Sequence, residues 1–383
     1  MTMSQGTFAA RLEQTKGRSS GFDYLRIGLS VSVISWHTII VCYGADTEAH
    51  FWSSPLRPVF YFILPSFFAL SGFLVAGSLF RNSIPKFLTL RALRIFPALF
   101  CEVVISAFII GPALTAFSLR DYLSDPKLYS YFFNMIGRIR YHLPGLFLDN
   151  PFPDNVNLQL WTIPYELECY IAITALAIFG IAFRPRLFAV AFVLLTAAAS
   201  AAAWSSSPTV ADGGPSGRLC VLAFLAGVLL YVWRDRVPYN KLLVILAAAA
   251  LWLMLSRIET EYLAALPIAY VTVWLGLQDP KKLFFVAGAD YSYGMYLYGF
   301  PMQQAVAHLL PQYRFWYVNL ILSLIASGIA AYASWNFVES RIMKRKSSVT
   351  ALVDTWGISG FFDRAAFGMT GALRRLFMSR GGV

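Results

Sequence analysis

Residues 22–44 read FDYLRIGLSVSVISWHTIIVCYG, an apolar stretch that carries Arg26 and His37 eleven positions apart. On an α-helix eleven residues make just over three turns, so both side chains point the same way, about 16 Å apart. A charge inside a bilayer-spanning helix costs roughly 2.5–3.5 kcal/mol on insertion scales, so it usually faces a cavity and marks a site. The stretch therefore predicts a first membrane span with a titratable imidazole at depth and a cation below it near one surface. The competing reading is a snorkelling arginine at the helix end and a histidine that is only a hydrogen-bonded packing residue.

The rest of the chain repeats the pattern. Of its 383 residues 58% are hydrophobic and 13% charged, with a mean hydropathy of +0.59, outside the range of soluble domains. Apolar runs fall at about 25–43, 57–79, 95–118, 158–182, 187–204, 217–233, 241–256, 260–278, 287–310 and 315–338. They predict an all-α polytopic membrane bundle of about ten transmembrane helices. The 57–79 run carries Pro58, Pro65 and Gly72, which marks it as a kinked or broken span. With the N-terminus in the cytoplasm, the cytoplasmic segments hold 22 Lys and Arg against 8 on the other side. Both termini are then expected in the cytoplasm. The net charge of +11 is an orientation signal on this reading. Because the basic residues are spread over six segments, it argues against a nucleic-acid partner.

Three regions follow: an N-terminal cytoplasmic arm at 1–21, a transmembrane domain at 22–341, and a basic cytoplasmic tail at 342–383. The first run has no small-residue cleavage site after it and reads as a retained span. Residues 119–157, with PGLFLDNPFPDN, form a long external segment suited to holding a polar acceptor. In the tail, Phe361, Ala365, Met369, Leu373 and Phe377 recur at i, i+4 and predict an interfacial amphipathic helix. Cys42, Cys101, Cys169 and Cys220 lie in apolar runs with no CxxC pair, as small buried hydrophobes do. His50 and His142 have no metal-type partners at useful spacing, and no metal is expected.

Several residues could do chemistry. Arg91 and Arg94, three apart in LTLRALRIFP, share a helix face at the cytoplasmic mouth of the third span. Paired guanidiniums suit phosphate oxygens, although positive-inside residues would look the same. Trp161 opens the fourth span, and Glu166 lies about 7–8 Å deeper. His37 is about 9 Å from the external end of the first span, so the two could meet and form a base oriented by a carboxylate. Glu168 should face elsewhere. Glu102 is either a buried hydrogen-bonding group or a lining residue, and His308 reads as interfacial.

The order of these features resembles the membrane-bound acyltransferase 3 family, whose members are glycan O-acyltransferases. The resemblance rests on Arg26 and His37, FFALSGFL at 67–74, RALR followed by IFP, WTIPYE at 161–166 and SYGMYLYGFP at 292–301, across residues 22–341. It implies transfer of an acyl group, most often acetyl, from cytoplasmic acyl-CoA to a hydroxyl of an extracytoplasmic or lipid-linked glycan. The implied setting is the bacterial inner membrane, with surrounding lipid as partner. His37 would be catalytic with Arg26 in the same motif, Arg91 and Arg94 would hold the CoA phosphates, and Trp161, Ser292, Tyr293 and Ser71 would contact substrate. Many relatives have a His where this chain has Gly299, so no role for that imidazole carries over. Combining motif and chemistry, CoA would dock at the arginine pair and thread inward, and His37, oriented by Glu166, would deprotonate the acceptor. Ser71 or Cys42 could carry the acyl group covalently, but neither has a paired base. A proton-coupled transporter or flippase of a glycan precursor is the rival reading, since transporters also use intramembrane His, Glu and Arg and broken spans.

Overall fold

The computed structural model describes residues 6–17, 19–206, 214–283 and 291–355. Among these residues every regular element is helical, and the only β contacts are two isolated bridges. In chain order the helices used below are α1 (Phe8–Gln14), α2 (Ser20–Tyr43), α3 (Ala45–Trp52), α4 (Arg57–Arg81) and α5 (Ile84–Leu114). Two short helices, α6 (Leu119–Ser124) and α7 (Pro126–Tyr131), precede α8 (Ile163–Ile178), α9 (Pro185–Ser206), α10 (Gly217–Val232) and α11 (Lys241–Leu255). The chain continues through α12 (Ala265–Gly276), α13 (Ser292–Leu309), α14 (Trp316–Lys344) and α15 (Lys346–Thr355).

Each of the ten apolar runs contains a helix. Among the described residues five helices are long and apolar enough to cross a membrane: α2, α4, α5, α9 and α14. Helices α10 and α11 are apolar but shorter, and the 158–182 and 260–278 runs divide into a 3₁₀ turn followed by an α-helix. Such helices are those of an integral membrane protein. The amphipathic segment expected at 361–377 lies outside the described residues.

One boundary differs from the sequence reading. The third long helix starts at Ile84, with Pro85 in its first turn, where a missing N–H costs nothing. Arg91 and Arg94 therefore sit about two and three turns from the helix start, ahead of the apolar run that begins at 95. Gly72 lies inside a continuous helical stretch. Its missing side chain lets α4 and α10 touch: a Cβ there would lie 2.0 Å from the Phe224 carbonyl oxygen. Gly227 reciprocates, with its Cβ position 2.1 Å from the Ala69 carbonyl oxygen. Small residues facing each other let apolar helices approach closely and gain packing. The α4 run does bend, at Phe62, where Arg57–Tyr61 passes into Ile63–Arg81.

Residues 119–157 are bound into the bundle. Asn157 donates to the fully buried Glu102 carboxylate at 2.7 Å and also to the Tyr131 hydroxyl, and Ser106 donates to the same Glu102 oxygen at 2.7 Å. A π-helical turn at Ser106–Ile110 follows. On the other flank Asn150 donates to Gln304 Oε1 at 2.8 Å, and Gln304 donates to the Phe152 and Asn155 carbonyls, each at 2.8 Å. These bonds pair one Glu102 oxygen and the Asn150 and Gln304 amides, which burial would otherwise penalise, while Glu102 Oε2 and Asn157 Oδ1 have no partner among the described residues. Glu102 is thus a structural acceptor, and it lines neither cavity described below.

Candidate active site

Two adjoining cavities follow one another along α2, α4 and α13, the lower at Arg26 and the upper at His37. The lower one, about 140 Å³, is lined by Arg26, Arg91, Arg94, Glu166, Ser71, Ser292 and Tyr293 among others. Seven of the nine residues singled out in the sequence therefore meet at one place. The upper cavity, about 520 Å³, holds the other two, His37 and Trp161. Arg26 and His37, on one face of α2, address different chambers.

In the lower chamber Glu166 accepts a 2.6 Å hydrogen bond from the Tyr170 hydroxyl, and Arg94 and Arg91 act on it electrostatically. Arg94 lies over the Tyr293 ring, 5.5 Å from its centroid, and Arg91 over Phe87 at 6.0 Å. The Arg91 Nε is shielded from solvent and has no hydrogen-bond partner among the described residues. An oriented, unsatisfied guanidinium donor beside a second arginine fits an anionic ligand such as a phosphate. Arg26 also approaches Asp23 at 4.0 Å, and Lys282 pairs with Asp23 at 2.9 Å. Ser30 donates to the Ser292 carbonyl at 2.9 Å, fixing α13 on α2.

In the upper chamber the His37 ring packs edge-on against Phe300, with centroids 5.2 Å apart. Its expected contact with Glu166 is not formed. That expectation measured depth along one continuous helix from Trp161, but Leu158–Thr162 is a 3₁₀ turn and α8 begins at Ile163. The partner choice differs too: α2 packs chiefly on α4, α12, α13 and α14, and α8 chiefly on α10. Glu168 is exposed, as expected for the opposite face.

Two carboxylates share the His37 chamber, Glu48 and Glu261. The chain turns at Gly44, whose φ of +84° suits glycine, and α3 folds back so that Glu48 Oε1 accepts from Trp36 Nε1 at 2.9 Å. Burial pushes the Glu48 carboxyl up, opposed by that bond. A second group in the wall is a buried ion pair, Arg57 to Glu261 at 3.0 Å. Tyr61 donates to the same oxygen at 2.7 Å, and Arg57 also donates to the Leu255 carbonyl at 2.6 Å. None of Arg57, Glu48 and Glu261 stands out in the sequence as a candidate site residue. Glu261, an acid at the start of an apolar run, was the available signal.

Gly299, where many relatives place His, packs against α2: a Cβ there would lie 2.8 Å from Ile34 Cγ1. The cysteines are free, three buried and one half-buried. Among the described residues no cluster of His, Cys, Asp and Glu could hold a metal ion.

Comparison with known proteins agrees with the motif order. Residues 19–335 match the acyltransferase 3 family, described as an acyltransferase domain. The chain is 28% identical over 307 residues to an O-acetyl transferase of Shigella phage Sf6, covering 75% of this chain and 86% of the relative. It is 24% identical over 386 aligned positions to nodulation protein 10 of Rhizobium leguminosarum bv. viciae, covering 88% of this chain and 97% of the relative. No solved structure gives a significant match. A match across most of the membrane region, on a bundle that gathers the motif residues into two adjoining chambers, means that the chain belongs to the acyltransferase 3 family and is an O-acyltransferase.

Proposed function

We propose that the protein is a ten-span O-acetyltransferase of the bacterial inner membrane, with both termini in the cytoplasm. It moves acetyl from cytoplasmic acetyl-CoA to a hydroxyl of an extracytoplasmic or lipid-linked glycan. The observation that carries this reading is the stacking of an arginine-lined chamber beneath a chamber holding one imidazole. Arg91 and Arg94 bind the CoA phosphates, supported by the unpartnered Arg91 Nε. Arg26 adds charge on the same wall, and Glu166, tied to Tyr170, orients the arginines. In this reading Glu166 serves the donor side instead of His37. Ser71, Ser292 and Tyr293 line the path of the pantetheine arm.

His37 acts as general base in the upper chamber, where Trp161, Trp52 and Tyr262 offer flat apolar faces to a sugar ring. It takes the proton of the acceptor hydroxyl as the oxygen attacks the thioester carbonyl carbon. The new C–O bond forms, the C–S bond breaks, and the imidazolium returns its proton to the departing thiolate. A direct transfer of this kind needs no covalent acyl-enzyme.

The test is consumption of labelled acetyl-CoA by purified protein in detergent, with no membrane gradient. Consumption on adding a glycan extract supports the enzyme; dependence on a gradient would favour the transporter. His37→Ala should abolish transfer while acetyl-CoA still binds. Normal transfer by that variant would remove His37 from the mechanism.

A further inference from the structure

Among the described residues two line both chambers, Leu64 of α4 and Tyr296 of α13. Tyr296 is buried, and its ring meets Phe67 edge-on at 6.0 Å. Its hydroxyl donates to the Gln159 carbonyl at 2.8 Å and lies 2.7 Å from Thr162 Oγ1. Thr162 Oγ1 also lies 3.2 Å from the Gln159 carbonyl, so either hydroxyl can supply the proton between them. The Gln159 side chain then reaches back and donates to the Leu297 carbonyl at 2.5 Å. A closed ring of hydrogen bonds thus clasps the 3₁₀ turn Leu158–Thr162 onto α13 and holds the phenol across the gap between the chambers.

We infer that Tyr296, together with Leu64, is the partition that keeps the donor thioester apart from the water and the base of the upper chamber until an acceptor is seated. This rests on the donor and acceptor assignment proposed above. The physical need is plain. A thioester exposed to His37 and water would react without acceptor: water oxygen adds to the acyl carbon, the C–S bond breaks, and acetate and the CoA thiol leave. Excluding water from a reactive group is a recurrent duty of active-site walls. Tyr296 suits it because a phenol tethered by two hydrogen bonds is rigid when closed, yet turning about χ1 breaks only those two bonds. Tyr296 is a positioning residue here, since it acts through what it separates.

The experiment uses the full chain in detergent with acetyl-CoA alone, measuring affinity for acetyl-CoA and its acceptor-free hydrolysis. Tyr296→Ala should raise hydrolysis by about tenfold or more with affinity unchanged. Tyr296→Phe, which keeps the ring and loses the tether, should lie between Tyr296→Ala and the native chain. Leu64→Ala breaks no hydrogen bond and guards against a folding defect; it should also raise hydrolysis. Adding His37→Ala to Tyr296→Ala should return hydrolysis to the native level. A merely structural role would lower affinity or stability and would not raise hydrolysis. Native-level hydrolysis in both Tyr296→Ala and Leu64→Ala, with acetyl-CoA still bound, overturns the partition and leaves the donor assignment standing. A native chain that binds no acetyl-CoA overturns the donor assignment, and the partition with it.

Discussion

Replacing Gly72 by alanine adds one methyl group at the point where α4 meets α10. The new Cβ would stand 2.0 Å from the Phe224 carbonyl oxygen, 2.8 Å from its carbon and 3.0 Å from its Cα. These are backbone atoms, so no rotamer change relieves the clash. Restoring a 3.4 Å contact to the oxygen requires the helices to part by roughly 1.4 Å. A gap of 0.5–1 Å already forfeits about a quarter to a half of each dispersion well, and overpacking of this kind costs about 1–3 kcal/mol or more. The upper end is expected because Gly227 makes the reciprocal contact on the same interface. At about 2 °C per kcal/mol, the thermal midpoint should fall by roughly 6 °C. Phe224 also lines the arginine chamber, so acetyl-CoA affinity should fall as well. The assay is thermal unfolding in detergent followed by size exclusion, with Gly28→Ala as the control, since nothing lies within 4 Å of a Cβ at Gly28. A Gly72→Ala midpoint equal to that of Gly28→Ala would refute the close-contact argument.

Three further outcomes are expected. Glu261→Leu strips a buried guanidinium of its carboxylate and should cost about 3 kcal/mol, whereas adding Arg57→Leu should recover part of the loss; no recovery would show that the pair is not energetically coupled. Arg91→Ala with Arg94→Ala should weaken acetyl-CoA binding while thermal stability changes little, and unchanged affinity by calorimetry would return both residues to orientation signals. Asp279 accepts from the Ser20 backbone N–H at 3.0 Å and from its hydroxyl at 3.1 Å, which hold its carboxyl below the ordinary 3.8. The ionised form is favoured in the folded state, so its contribution is complete above 3.8 and is lost as pH falls through the depressed value. The stability difference between the native chain and Asp279→Asn should therefore shrink in acid, and a pH-independent difference would contradict the pairing.

The helical class and the position of every apolar run were legible because hydropathy acts locally. Helix starts were less so, since Ile84–Arg94 is polar enough to pass for a connector and is held helical by its neighbours. Gly72 makes a related point: in one sequence a glycine that loosens a helix and one that admits a neighbouring backbone look alike, and only the partner helix decides. Seven residues chosen by motif and chemistry came together in the lower chamber. The Glu166 assignment did not transfer to the upper one because depth was measured along an α-helix where the chain makes a 3₁₀ turn. Glu48 and Glu261 were invisible for want of tertiary information: Glu48 reaches the chamber only through the reversal at Gly44, and Glu261 is matched by an arginine some 200 residues away in sequence.

The anchoring of residues 119–157 bears on how freely this segment can change. The segment is plugged into sockets made by Glu102, Ser106 and Gln304 on two different helices, so it cannot be exchanged alone. A chimera that imported this segment from a relative without its sockets would leave a carboxylate stranded in the interior. Divergence between members is then expected to run through the outward side chains of the segment, such as Tyr129, Phe133 and Ile136, while its footing stays fixed.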